Sequence, residues 1–191
     1  MPTAGRTVPP NHASRVRIIG GRHRGRTVRF PDAPGLRPTP DRVRETLFNW
    51  LGQDLDGVRT LDLYAGSGVL SLEALSRGAT LAVAVDRNPA LVRAVRAAAE
   101  ALGDDGLEVH AADALAHLAR ETRRFDVVFL DPPFDSDPWP GLLPRAAARL
   151  APGGFVYAEA ARRIDPPPGL VLHRADRAGH VHYHLLRADA P

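Results

Sequence analysis

Apolar and polar residues alternate in two short stretches near the start of the chain, Arg15-Val16-Arg17-Ile18-Ile19 and Arg26-Thr27-Val28-Arg29-Phe30. A period of two predicts strands. The intervening Gly20-Gly21-Arg22-His23-Arg24-Gly25 predicts a hairpin turn, so this segment reads as a β-hairpin with one arginine face. Pro31 to Gly35 is a loop. The period then lengthens: Val43, Leu47, Trp50 and Leu51 share one helical face, with Arg42, Arg44 and Glu45 off it. Thr39 is the expected N-cap, Pro40 the first helical residue and Gly52 the stop.

Beyond Arg59 the pattern alternates between strand and helix. Thr60, Leu61 and Leu63 form a strand that runs into Tyr64-Ala65-Gly66-Ser67-Gly68, and a helix pattern starts at Val69. Leu81 to Val85 is a continuous apolar run ending at Asp86; Asn88, Pro89 and Gly103 bracket the next helix. A short strand over Leu107 to Ala111 leads to Asp113 and a helix through Leu118. Phe125 to Leu130 is the strand that looks most buried, and it runs into Asp131-Pro132-Pro133-Phe134. Leu142 to Leu150 is predicted helical and Phe155 to Ala160 a strand. Leu170 to Leu172 and Val181 to Leu186 are predicted to form a closing hairpin. Such alternation with continuous apolar strands predicts an α/β fold, a Rossmann-like sheet covered on both faces, here seven-stranded and mixed. Residues 1–14 are expected to be a disordered extension and 15–52 a basic hairpin and helix. Residues 15–52 are expected to form one compact unit with the main domain over 53–191.

Composition narrows the function. A length of 191 residues, 44% of them hydrophobic, fits one globular domain with a sizeable core. No apolar run is long enough to span a membrane, and the first residues lack the apolar stretch of a secretory signal; a cytoplasmic protein is expected. With no cysteine, mechanisms needing a thiol nucleophile and thiolate zinc sites are excluded. All 25 basic residues are arginine, and ten lie in residues 1–44 against Asp32 and Asp41. A basic arm on an acidic body predicts a nucleic-acid partner held through phosphates.

In a parallel sheet, ligands sit beyond the carboxyl ends of the strands. Four acids stand there: Asp62 with the glycine turn, Asp86, Asp113 and Asp131. Glycines at 66 and 68 let a ligand approach the main chain. Asp62 would repel a pyrophosphate but attract an ammonium. Asp86 is placed to accept from ribose hydroxyls and Asp113 from an adenine amino group. Ser71 stands where a dinucleotide fingerprint wants its third glycine, so S-adenosylmethionine fits better than a nicotinamide cofactor. An exocyclic amine on a base is a poor nucleophile because its lone pair is delocalised. A carboxylate such as Asp131, with a main-chain carbonyl fixed by Pro132 and Pro133, would localise that pair and stabilise the developing charge. Phe134 offers a stacking face for a flipped base.

On these residues the chain resembles the bacterial small-subunit ribosomal RNA guanine-N2 methyltransferases. The resemblance runs from about Arg17 to the closing hairpin. It rests on Arg17-Ile18-Ile19-Gly20-Gly21-Arg22, Leu36-Arg37-Pro38-Thr39, Asp41 to Trp50, Ala65-Gly66-Ser67-Gly68, Leu72 to Ala79 and Asp131-Pro132-Pro133-Phe134. It implies a class I S-adenosylmethionine-dependent fold and methyl transfer to N2 of one 16S rRNA guanine, in the small subunit or its assembly intermediate. The implied cofactor residues are Asp62, Tyr64, Ala65, Gly66, Ser67, Gly68, Asp86, Arg87, Asp113 and Ala114. Asp131, Pro132, Pro133 and Phe134 would hold the target amine. Arg17, Arg22, Arg24, Arg26, Arg37, Thr39, Arg42 and Arg44 would meet RNA. A monomer needing no metal is expected, and His180, His182 and His184 read as an exposed or stacked strand face rather than a metal site. Departures are residues 1–14, Pro40 in place of threonine and Asp86 in place of glutamate. The alternatives are a DNA adenine-N6 or cytosine-N4 amino methyltransferase and a non-catalytic RNA-binding protein.

Overall fold

The structure is a computed structural model that describes residues 13–134 and 137–189. A two-stranded hairpin is formed by β1 (Ala13–Arg17) and β2 (Thr27–Pro31). Its register sets Arg15 against Arg29 and Val16 against Val28. Val16, Ile18, Val28 and Phe30 point into the core, while Arg15, Arg17 and Arg29 are exposed. The predicted arginine face is therefore present. Ala13 and Ser14, expected in the extension, belong to β1; residues 1–12 of that extension lie outside the described residues.

The main sheet has the order β5-β4-β3-β6-β7-β9-β8. It is built from β3 (Arg59–Asp62), β4 (Leu81–Asp86), β5 (Leu107–Ala111), β6 (Phe125–Leu130), β7 (Leu150–Ala160), β8 (Leu170–Ala178) and β9 (Val181–Ala188). The first five are parallel, and β9 runs antiparallel to both β7 and β8. This is the expected seven-stranded mixed sheet. Among the described residues five helices connect the strands: α1 (Asp41–Leu51), α2 (Val69–Ser76), α3 (Pro89–Leu102), α4 (Ala114–Arg120) and α5 (Trp139–Ala147). Strand order reverses between β3 and β6, which places the ligand crevice of such a sheet beyond Asp62 and Leu130. Two apolar layers cover the sheet. One holds α1, α2 and the hairpin against Phe129, Tyr157 and Leu185; the other holds α4 and α5 against Leu61, Val128 and Val156.

Two local expectations are corrected. Pro40, not Thr39, is the N-cap residue of α1, and no side chain caps that end. Leu150 is not helical; it pairs with Phe125 at the start of β7. Of the histidines expected as an exposed or stacked face, His184 is buried. Among the described residues no metal-binding group forms, and His184 accepts from Ile164 N at 3.2 Å while Nδ1 faces Ala158 O at 3.3 Å. Burial and the nearby charges of His182 and Arg163 push its pKa down, outweighing the Ala158 bond. His182 stacks on it, and His180 is exposed in the turn.

Arg44 is the largest correction. It was expected at an RNA surface but is 0% exposed, because its neighbours supply acceptors in every direction the guanidinium can use. Nη1 donates to Glu73 at 2.6 Å, Nη2 to Asp41 at 2.5 Å and Nε to the Thr39 carbonyl at 3.1 Å. Glu73 in turn accepts from Ile19 N at 2.5 Å and from Arg77 Nε at 3.3 Å. Arg77 lies over the Phe48 ring, 4.5 Å from its centroid. One buried carboxylate thus ties the hairpin exit, α1 and α2 together.

Candidate active site

The turn after β3 takes its shape from main-chain bonds. Gly66 and Gly68 have φ of 52° and 74°, in the left-handed region that side chains with a Cβ rarely adopt. Gly66 N donates to Asp86 Oδ2 at 2.9 Å, and Asn88 N donates to Asp86 Oδ1 at 2.8 Å. Asp86 therefore joins the glycine turn to the start of α3, where Asn88 accepts from Ala90 N at 2.9 Å as the N-cap. The glycines also answer to packing within the chain. A Cβ at Gly66 would lie 2.7 Å from Leu36 Cδ1, and one at Gly68 would lie 2.6 Å from Val95 Cγ1. Close approach of a ligand, the reason given by the sequence, is thus joined by close approach of Leu36 and α3.

A cavity opens at the switch point. Its walls are Asp62, Tyr64 to Ser67 and the first turn of α2, with Asp131 on one side and the strap Leu36-Arg37-Pro38-Thr39 across it. Asp62 is 2% exposed and accepts from Ser71 Oγ at 3.0 Å. Burial, reinforced by the Asp86 charge and opposed by the Ser71 bond, pushes its pKa up to about 7. Burial also pushes Asp131 well above the usual carboxylate range, aided by the charges of Glu159 and Asp62. Among the described residues no arginine forms an ion pair with Asp62, Asp131 or Glu159. Buried acids without a cation suit a ligand that brings positive charge.

The Asp-Pro-Pro-Phe turn borders two cavities. Asp131 lines the one beside the glycine turn; Pro132, Pro133 and Phe134 line a second, with Trp139, Ala160 and Arg162. Phe134 is 47% exposed, so its ring has a free face there.

Other predicted residues are more scattered. Asp113 is exposed and caps α4 by accepting from Ala116 N at 3.0 Å, Ala114 is buried behind it, and Arg87 is exposed after Asp86. Arg22 donates to Asp104 at 2.8 Å and Arg26 to the Ala101 carbonyl at 3.3 Å, so both also anchor the hairpin turn on the end of α3. Arg17, Arg24, Arg37 and Arg42 are exposed. Thr39 is not a surface residue; its hydroxyl donates to Glu159 at 3.0 Å. The sequence reading set Arg15 and Arg29 on the arginine face of the hairpin, beside Arg17, without naming them as RNA contacts. It missed Glu159, whose signal is a lone carboxylate in the apolar run Val156-Tyr157-Ala158-Glu159-Ala160.

A family profile described as Conserved hypothetical protein 95 matches residues 16–187. Ribosomal RNA small subunit methyltransferase D of Escherichia coli strain K12 is 38% identical, the alignment covering 95% of each chain. The Haemophilus influenzae protein of the same name is 35% identical over 93% of this chain and 96% of its own. Among solved structures, a putative methyltransferase yhhF from Escherichia coli superposes with a TM-score of 0.80 at 38% identity, over 93% of this chain and all of its own.

Proposed function

The chain belongs to the family described as conserved hypothetical protein 95, and we propose that it methylates the exocyclic N2 amine of a guanine in 16S rRNA. The methyl donor is S-adenosylmethionine, which supplies an electrophilic methyl group on a cationic sulfonium. The observation that carries this reading is the meeting of Asp62, the glycine turn and Asp131 at the strand-order reversal, acids without a cation facing one cavity. These residues fit the donor: Asp62 faces an ammonium, Gly66 and Ser67 offer backbone, and the remaining lone pairs of Asp86 can receive ribose hydroxyls. Asp131 then accepts a hydrogen bond from the amine, and Phe134 stacks on the base from the adjoining cavity. Arg15, Arg17 and Arg29 on the outer hairpin face, with Arg24, Arg37 and Arg42, give phosphates a basic approach. The substrate is the small subunit or its assembly intermediate.

Mass spectrometry of 16S rRNA nucleosides from a deletion strain tests the reading. N2-methylguanosine should fall by one residue per 16S molecule and return with a plasmid copy. Loss of a methylated DNA base instead would make the protein a DNA amino methyltransferase, and no loss of any mark would make it a non-catalytic binder.

Cofactor affinity should depend on pH in a manner set by Asp62. Below about 7 its carboxyl is protonated in the free protein, so binding an ammonium must expel that proton. Affinity therefore rises with pH up to about 7. It falls again as the ligand's own α-amino group deprotonates near about 7.7–8.0. Calorimetry should show a maximum between these limits, with Asp62→Asn flattening the acidic limb. An affinity independent of pH between 6 and 8 would remove Asp62 from the amine site.

A further inference from the structure

Resting on the methyltransferase reading above, we infer that Glu159 is a positioning residue for the reaction, keeping Asp131 basic enough to take the proton that the target amine gives up. The placement follows from the sheet. Leu130 pairs with Ala158 in the parallel β6–β7 ladder, so one residue further on Asp131 stands beside Glu159. Side chains opposite each other in a parallel ladder share a face, and residues two apart on one strand share it again. Asp62 is opposite Phe129, and Phe129 is opposite Tyr157, which puts all three acids on the same side of three neighbouring strands.

Glu159 is 4% exposed and fixed. Oε1 accepts from Thr39 Oγ1 at 3.0 Å and from Tyr157 Oη at 2.8 Å. Both donors are neutral and both use the same oxygen; burial pushes the Glu159 pKa up, and these two bonds oppose that shift by favouring its carboxylate form. Besides Glu159, the titratable groups facing Asp131 are Asp62 from β3 and Tyr157 from β7; Tyr64 lines the same cavity but lies toward Asp113 and Arg87, and Arg37, on the strap, is exposed. Two carboxylates this close resist ionising together, so each makes the other a stronger base.

Methylation of an amine needs such a base. The nitrogen lone pair forms the new N–C bond, the pair of the broken C–S bond stays on sulfur, and one N–H proton must leave. That proton passes to the Asp131 carboxylate, its bonding pair remaining on nitrogen, and then to water. With an uncharged neighbour, Asp131 would hold the amine as well but accept the proton less readily.

The test uses the full chain and Glu159→Gln, which retains an acceptor for Thr39 and Tyr157 while removing the charge. Titration of Asp131 followed by carboxyl ¹³C NMR in the ligand-free protein should show a lower pKa in Glu159→Gln than in wild type. Single-turnover methylation of 30S particles should have its acidic limb displaced to lower pH, with a plateau rate reduced roughly tenfold, within the range for weakening one general base. Affinity for S-adenosylhomocysteine should be unchanged, and Glu159→Asp should restore the limb toward wild type. An unshifted Asp131 titration, or a rate lowered equally by Gln and Asp, would overturn the inference. Wild-type protein that fails to methylate 30S while the NMR shift is present would instead sink the proposed function and leave the charge coupling standing.

Discussion

Asp131→Ala should slow methyl transfer by roughly a hundredfold or more, the scale of losing one preorganised polar group at a reacting centre. The residue follows the most apolar strand of the sheet and shares a cavity with Asp62 and the glycine turn. On the proposed mechanism its decisive contact is made as the amine gains positive charge, so truncation should affect the chemical step far more than cofactor binding. Asp131→Asn keeps an acceptor without the charge and should retain part of the rate. Single-turnover assays with saturating cofactor and 30S particles isolate the step, and calorimetry checks that affinity persists. A wild-type rate in Asp131→Ala would reduce the Asp-Pro-Pro-Phe turn to a structural element.

The second large effect is on stability. Glu73→Ala should cost about 3–5 kcal/mol, the range for leaving buried charges without their partner. Glu73 and Arg44 are both fully buried, Arg77 is nearly so, and the same carboxylate takes the Ile19 N–H. Removing it takes the buried carboxylate from two guanidinium groups, leaving Arg44 with Asp41 and the Thr39 carbonyl and Arg77 with Gln53, and leaves the Ile19 N–H without an acceptor in a site that water cannot readily reach. For a chain of this length the melting temperature should fall on the order of 10 °C, measured by circular dichroism. A midpoint within a degree or two of wild type would mean that Arg44 and Arg77 find other acceptors.

The centre of the sheet was legible because β4 and β6 are nearly continuous apolar runs, and these and β3 end at an acid that breaks the pattern. Asp62, Asp86 and Asp131 could be found that way, as strand ends are where periodicity stops. Arg44 could not. Its neighbours on α1 are charged and its burial depends on Glu73, which is 29 residues away in the chain. Local spacing cannot show that two charges cancel across such a distance. Thr39 misled for a related reason: it stands one residue before the cap, and its hydroxyl donates to Glu159, 120 residues on, rather than accepting from the helix end. The polar outer half of β8, Arg174 to Arg177, carries no strand signal because an edge strand needs an apolar face only where the sheet is covered.

The hairpin's double commitment bears on how this protein can change over evolutionary time. Val16, Ile18, Val28 and Phe30 belong to the same core as α1 and α2, and the strap after β2 reaches both Gly66 and Glu159. On the proposed function the hairpin is an RNA-recognition module that also supplies a wall of the reaction chamber, and such a module cannot be exchanged like a cassette. A chimera carrying a foreign hairpin would inherit a damaged core and a misplaced strap before its RNA preference was ever expressed. New substrates are therefore more accessible through the outward positions Arg15, Arg17 and Arg29, where a side chain can vary without disturbing what lies beneath.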